Sequence, residues 1–252
     1  MTVTGFSLAE LRAAYAALQE GTFTTTTTTG SEPAANTPRD GAVTATLSTT
    51  AAVAVVGVAG GVGATVVALA VAEALGASRL VEFSAPGLSG LAAASSAELG
   101  TRQGWIIGSR GGVQLQRLAS SDAVMLAASE ADGLTVMDLG LWPDDLAGTR
   151  PGVLVAVAAC SVPSVRRLEA RLDQLKSSVQ VVPVITAVPG RSLPKPVGGV
   201  LGPSIRRSAA AGRLVLVPEC SRLRVGGVTV DPLPRRLQSA AGVIASRVKE
   251  LS

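Results

Sequence analysis

The stretch Val55-Val56-Gly57-Val58-Ala59-Gly60-Gly61-Val62-Gly63-Ala64-Thr65 decides the fold. An apolar run of strand length ends in a glycine cluster, and an Ala/Val-rich pattern of helical length follows. Strand, glycine loop and helix in that order form an anion cradle. Bare backbone N–H groups and the positive end of the helix converge on one point. Where a phosphate-binding loop carries the lysine that reaches the outer phosphates, this chain has Ala64. Thr65, at the position whose hydroxyl meets a bound magnesium ion, is kept.

Downstream of this stretch, apolar runs alternate with helical patterns. Strands are expected at Val53–Gly57, Arg79–Phe83, Leu134–Asp138, Gly152–Ala158, Val179–Ala187 and Arg213–Val217. Helices are expected at Ala64–Leu75, at Ser164–Leu175 and from Pro234 onward, the last with Leu237, Ala241, Ile244, Val248 and Leu251 on one face. Residues 88–131 read as helical pieces around the glycine-rich segment Gly104 to Gly112, and a Pro/Gly loop is expected up to about residue 203. Continuous apolar strands alternating with helices argue for an α/β fold, a doubly wound, mostly parallel sheet in three layers. Sites in such sheets lie at the C-terminal ends of the strands.

Upstream, Ser7-Leu8-Ala9-Glu10 fits a capping box, and Leu8, Leu11, Tyr15 and Leu18 recur at helical spacing. Three units follow: an amphipathic helix within 1–20, a flexible Thr/Gly/Pro-rich linker over 21–50 that contains the six-threonine run Thr24 to Thr29, and a main domain over 51–252. A helix this short is marginal alone, so residues 7–18 either fold back on the main domain or dock on a protein partner.

Composition excludes several classes. The 252 residues are 47% hydrophobic but only 2% aromatic, so the core is built from Ala, Val and Leu. Histidine is absent, which removes His-based acid–base catalysis and His metal ligands. Cys160 and Cys220 are too few for a zinc site and read as buried free thiols. Residues 1–6 lack a charged segment leading into an apolar one, so no secretion signal is expected and the compartment is read as cytoplasmic. Ala51 to Ala72 carries no charge, yet four glycines within seven residues argue against a membrane helix. Residues 1–150 hold 7 Lys/Arg against 13 Asp/Glu, net −6, whereas 151–252 hold 15 against 5, net +10. The basic half makes DNA or an acidic membrane surface a candidate partner through Arg206, Arg207, Arg235 and Arg236.

Two families have loops like this one. Gly57-x-x-x-Gly61-x-Gly63 is similar to the dinucleotide loop of short-chain dehydrogenases, but their Tyr-x-x-x-Lys motif has no counterpart, since the only tyrosine is Tyr15. The wider layout resembles the MinD/ParA-type ATPases. Ala59-Gly60-Gly61-Val62-Gly63-Ala64-Thr65 resembles their deviant Walker A motif, and Leu134-Thr135-Val136-Met137-Asp138 resembles their Walker B strand. Gly152 to Val157, Ser161 to Arg167 and Val215-Leu216-Val217-Pro218-Glu219 follow in the order that family shows.

The resemblance implies ATP or ADP with Mg²⁺ as cofactor. It implies nucleotide contacts from Gly60, Gly61, Val62, Gly63, Ala64, Thr65, Asp138, Thr186 and Pro218, and Mg²⁺ contacts from Thr65 and Asp138. Thr186 stands where the family commonly has a base-contacting Asn. The departures are Ala59, in place of the lysine that crosses a dimer interface, Ala64, and Glu82-Phe83-Ser84 in place of Asp-x-Asp. Phosphoryl transfer needs cations on the transferring group, and each such stabiliser is worth on the order of 10²–10³ in rate. The expected protein is therefore a pseudo-ATPase that binds nucleotide weakly or not at all and positions or scaffolds a partner, either as a homodimer or as a monomer. A nucleotide-dependent DNA-binding partition protein and an inert Rossmann-like dinucleotide-binding protein stay open. Lys176 and Lys195 are the candidates to replace the lost lysines, Lys195 the better placed of the two in its Pro-rich loop.

Overall fold

The computed structural model describes residues 52–85, 87–120, 133–143, 151–175 and 179–252. The expected helix at 7–18, the linker at 21–50 and Lys176 lie outside these residues. Among the described residues, nine strands form one sheet: β1 (Ala52–Gly57), β2 (Arg79–Glu82), β3 (Ala97–Arg102), β4 (Trp105–Arg110), β5 (Val113–Leu118), β6 (Thr135–Leu141), β7 (Val153–Ala159), β8 (Gln180–Val188) and β9 (Val215–Pro218). Their order is β3-β4-β5-β2-β6-β1-β7-β8-β9. The run from β5 to β9 is parallel throughout, and the antiparallel pairings are β3–β4 and β4–β5, so that β4 alone runs against the rest. The sheet is thus α/β and mostly parallel, as expected.

The helices are α1 (Ala64–Leu75), α2 (Val162–Gln174), α3 (Lys195–Gly198), α4 (Pro203–Ala210), α5 (Ser221–Gly226) and α6 (Arg235–Leu251). Alternate residues of β1 serve opposite layers, because successive side chains leave a strand on opposite faces. Val53 and Val55 pack with α1 and α6, through Val67, Val71, Leu237 and Ile244. Ala54 and Val56 pack with α2 and α4, through Val165, Leu168 and Ile205. All four β1 side chains are buried, which is why this strand reads as unbroken apolar sequence.

The expected helical pieces in 88–131 are corrected over the part described. Residues 97–118 form an antiparallel meander, and only Ala92–Ala94 makes a single 3₁₀ turn. Two-residue turns drive it. Gln103 and Gly104 sit at φ 50° and 82°, and Gly111 at 57°, the left-handed backbone that tight hairpins demand. Along β4, buried Trp105 and Ile107 alternate with half-buried Ile106, and Trp105 meets Phe83 edge-on at 5.9 Å. Three further helices lie outside the expected elements: α3 interrupts the Pro/Gly loop before residue 203, α4 follows that loop, and α5 follows β9. Helix α2 starts two residues early because Ser161 caps it and Pro163 sits in its first turn. The two cysteines are unpaired, and they are half-buried rather than buried. Among the described residues, no helix is long and apolar enough to cross a membrane.

Candidate functional site

The glycine stretch forms a tight loop at the C-terminal end of β1. Its entry is fixed on both sides: the Gly57 carbonyl accepts from the Trp142 amide at 2.9 Å, and the Val58 amide donates to the Val157 carbonyl at 3.0 Å. A Cβ on Gly57 would lie 2.8 Å from a Val62 methyl, so the loop folds back onto its own strand and only glycine fits there. Gly61 and Gly63 adopt φ of 73° and 87°. Gly63 is the N-cap of α1, and no side chain caps that end. Gly60 and Gly61 are exposed with open space around them, while Val62 and Ala64 are buried. The loop therefore offers helix-end N–H groups to solvent without occupying them itself.

Asp138 and Thr65 come together beside this helix end. The Asp138 carboxylate is fully buried. One oxygen accepts from the Gly140 amide at 3.0 Å, and Oδ2 has no hydrogen-bond partner among the described residues. Burial raises its pKa, against the opposing influence of the Thr65 hydroxyl and the Gly140 amide. Glu82, one strand over and in register with Asp138, is also buried. Both of its oxygens are engaged: Ser89 donates to Oε2, and the Gly90 amide donates to Oε1 at 2.8 Å. Burial raises its pKa too, Ser89 and Gly90 lower it, Asp138 adds to the rise, and Arg117 opposes it. Gly90 packs so closely on Thr65 that a Cβ there would lie 2.9 Å from the Thr65 methyl.

Thr186 reaches the loop as well. Its hydroxyl lies 2.6 Å from the Val62 carbonyl and 3.2 Å from the Ala158 carbonyl, tying the loop to β7 and β8. Pro218 ends β9, half-buried, with the following Glu219 amide bonded to Val188. Lys195 is exposed on α3. The structure thus gathers the loop, Thr65, Asp138 and Thr186. Arg206 and Arg207 lie on α4 and Arg235 and Arg236 on α6, on opposite faces of the sheet. Sequence reasoning missed Ser89, Gly90 and Arg117, because nothing in their spacing marks them.

A magnesium-bound phosphate can be tested against these residues. The orphaned Asp138 oxygen beside the Thr65 hydroxyl suits a divalent cation, and the uncapped end of α1 suits phosphate oxygens. No lysine or arginine occurs between Gly57 and Leu75. Thr65 and Asp138 would fit the metal side of such a site, and its phosphate side would rest on backbone donors alone.

A mostly parallel sheet with a glycine loop after β1 and a buried acid on β6 matches the MinD/ParA P-loop fold. Solved structures of that fold match in shape. The septum site-determining protein MinD of Pyrococcus horikoshii, complexed with Mg-ADP, is 14% identical, covers 81% of this chain and 97% of its own, and gives a TM-score of 0.55. A chain of the MinC:MinD cell division protein complex of Aquifex aeolicus is 14% identical over 80% of this chain and 96% of its own, with a TM-score of 0.53. ParA of pNOB8, bound to nonspecific DNA, is 9% identical over 80% and 99%, with a TM-score of 0.50. At such identities the likeness is one of fold. No protein-family model and no curated protein matches the sequence.

Proposed function

We propose that this chain is a MinD/ParA-like pseudo-ATPase that positions or scaffolds a partner and holds nucleotide weakly at most. The observation that carries the reading is Ala64, at the first position of α1, where the outer-phosphate lysine would stand. With Ala59 also lacking its side-chain cation, nothing in the loop offsets charge on a phosphoryl group in transfer. Asp138 and Thr65 keep the magnesium side of the site, and the MinD neighbour from Pyrococcus horikoshii is complexed with Mg-ADP. A nucleotide that binds here brings its countercharge with it as Mg²⁺.

The test is thermal stability of the full chain with ATP, ADP or NAD⁺, each with Mg²⁺ or with EDTA. Ligand at about 100-fold over Kd adds ~2.7 kcal/mol to the folded state. The expected outcome is a small shift with Mg-ATP or Mg-ADP, none with EDTA, and no phosphate release over hours. Turnover at rates typical of P-loop ATPases would sink the pseudo-ATPase reading. A shift with NAD⁺ alone would move the assignment to an inert dinucleotide fold.

The second reading, a DNA-binding partition protein, is favoured by one observation: Arg206, Arg207, Arg235 and Arg236 are all exposed. The ParA neighbour of the same fold is bound to nonspecific DNA. This reading requires DNA affinity that depends on nucleotide and falls steeply with salt.

A further inference from the structure

At the end of the sheet opposite the glycine loop, a groove of about 340 Å³ opens between α2, the start of β8, and α4. Five residues of β8 separate Val181 from Thr186, about 16 Å along the strand, so the groove stands apart from the loop. Its floor is apolar, made by Leu172, Leu175, Val179 and Val181, all half-buried. Its rim is cationic, with Arg207 and Arg213. The acid at the rim is already engaged: Asp173 accepts from the Ser204 hydroxyl at 2.6 Å, and Arg207 donates to that same hydroxyl at 2.8 Å. Arg213 has no ion pair among the described residues. The surrounding face is basic too. Residues 162–174 and 203–213 carry six arginines against two acids, and one of those, Glu169, is turned inward onto the amides of Ser204 and Ile205.

We propose that this groove docks an acidic, leucine-bearing segment of a partner protein, with its aliphatic side chains on the floor and its carboxylates on Arg207 and Arg213. The floor decides against nucleic acid as the occupant. A phosphate backbone has nothing apolar to set on four aliphatic side chains, and no aromatic side chain lines the groove for a base to stack on. Arginine suits the rim because its planar fork meets a carboxylate with two hydrogen bonds and is weakly hydrated.

The test uses the full chain and a labelled helical-spaced Glu/Leu peptide, with a Lys/Leu counterpart and a short DNA duplex as comparisons. The Glu/Leu peptide is expected to bind, and its amide perturbations in the wild-type protein to fall on residues 172–175, 179–181 and 204–213. Leu175→Ser and the double change R207E/R213E should each weaken it by about tenfold or more, equivalent to ~1.4 kcal/mol. Perturbations elsewhere on the wild-type protein would overturn the proposal even if a variant fails to fold. So would affinity unchanged by Leu175→Ser, or duplex DNA binding that Leu175→Ser weakens as much as it weakens the peptide's.

Discussion

Thr186 shows how much a single hydroxyl can organise. It donates to the Val62 carbonyl from 124 positions away in sequence, and that carbonyl belongs to the loop on which the proposed function rests. Replacing it with the near-isosteric valine leaves a buried acceptor without a donor. Such a loss costs about 1–3 kcal/mol. Thr186→Val is therefore expected to lower the denaturation midpoint in urea with no change in m-value, and an unchanged midpoint would show that the bond carries nothing. In the sequence Thr186 stands out only through the resemblance, at the position where that family commonly has Asn, and its partner is not legible there, since no local pattern spans such a separation. Asp138 makes a second case. Burial holds its carboxyl above the usual carboxylate range, so the folded chain binds that proton more tightly than the unfolded chain. The resulting destabilisation is fully present above the raised value, shrinks as pH falls through it, and is gone below the ordinary one. Asp138→Asn is expected to melt higher than wild type at neutral pH, and the gap should close in acid. A gap of constant size, or a variant that melts lower at neutral pH, would contradict this account.

Among elements, the strands β1, β2 and β6 to β9 are legible as unbroken apolar runs, and the helices α1, α2 and α6 as helical-length patterns. The β3–β5 meander is not. Small residues dominate 88–104, the edge strand β3 is exposed along its whole length, and without a buried face it leaves no alternation to find. Helix α4 was missed for a different reason: its start is stabilised from outside. Glu169 of α2 accepts from the amides of Ser204 at 2.6 Å and Ile205 at 3.0 Å, supplying the cap that its own N-cap, Gly202, lacks. Gly202 is there for space, since a Cβ would stand 2.2 Å from the Glu169 carboxyl carbon. Caps of this kind are worth about 0.5–2 kcal/mol. Glu169→Ala is expected to cost that much in chemical denaturation, with Glu169→Gln in between. Gly202→Ala should act by displacing the same carboxylate. The double variant G202A/E169A should then fall well short of the sum, because both changes remove one interaction; full additivity would show that the two act separately.

At the scale of the molecule, the sheet divides the charge that the sequence presents as one basic half. A net +10 over residues 151–252 suggests a single patch, yet Arg206 and Arg207 ride on the layer with Ile205 while Arg235 and Arg236 lead into the layer with Leu237. Sequence distance cannot reveal this, because the two successive crossovers α2 and α4 stay on one face of the sheet and the chain returns to the other face only with α6. A duplex resting on one face can neutralise only one of the two pairs. The face with α2 and α4 carries the larger excess of arginine over acid, so it should dominate whatever DNA affinity the chain shows at low salt. Reversal to R206E/R207E is expected to lower that affinity and to flatten its dependence on salt, by a slope of about 0.9 for each phosphate that is no longer neutralised. R235E/R236E should leave both nearly as they were. Equal effects of the two reversals would mean that DNA wraps the β9 edge and touches both layers. No effect of either would remove DNA from the candidate partners and leave the protein-scaffold reading alone to account for the basic half.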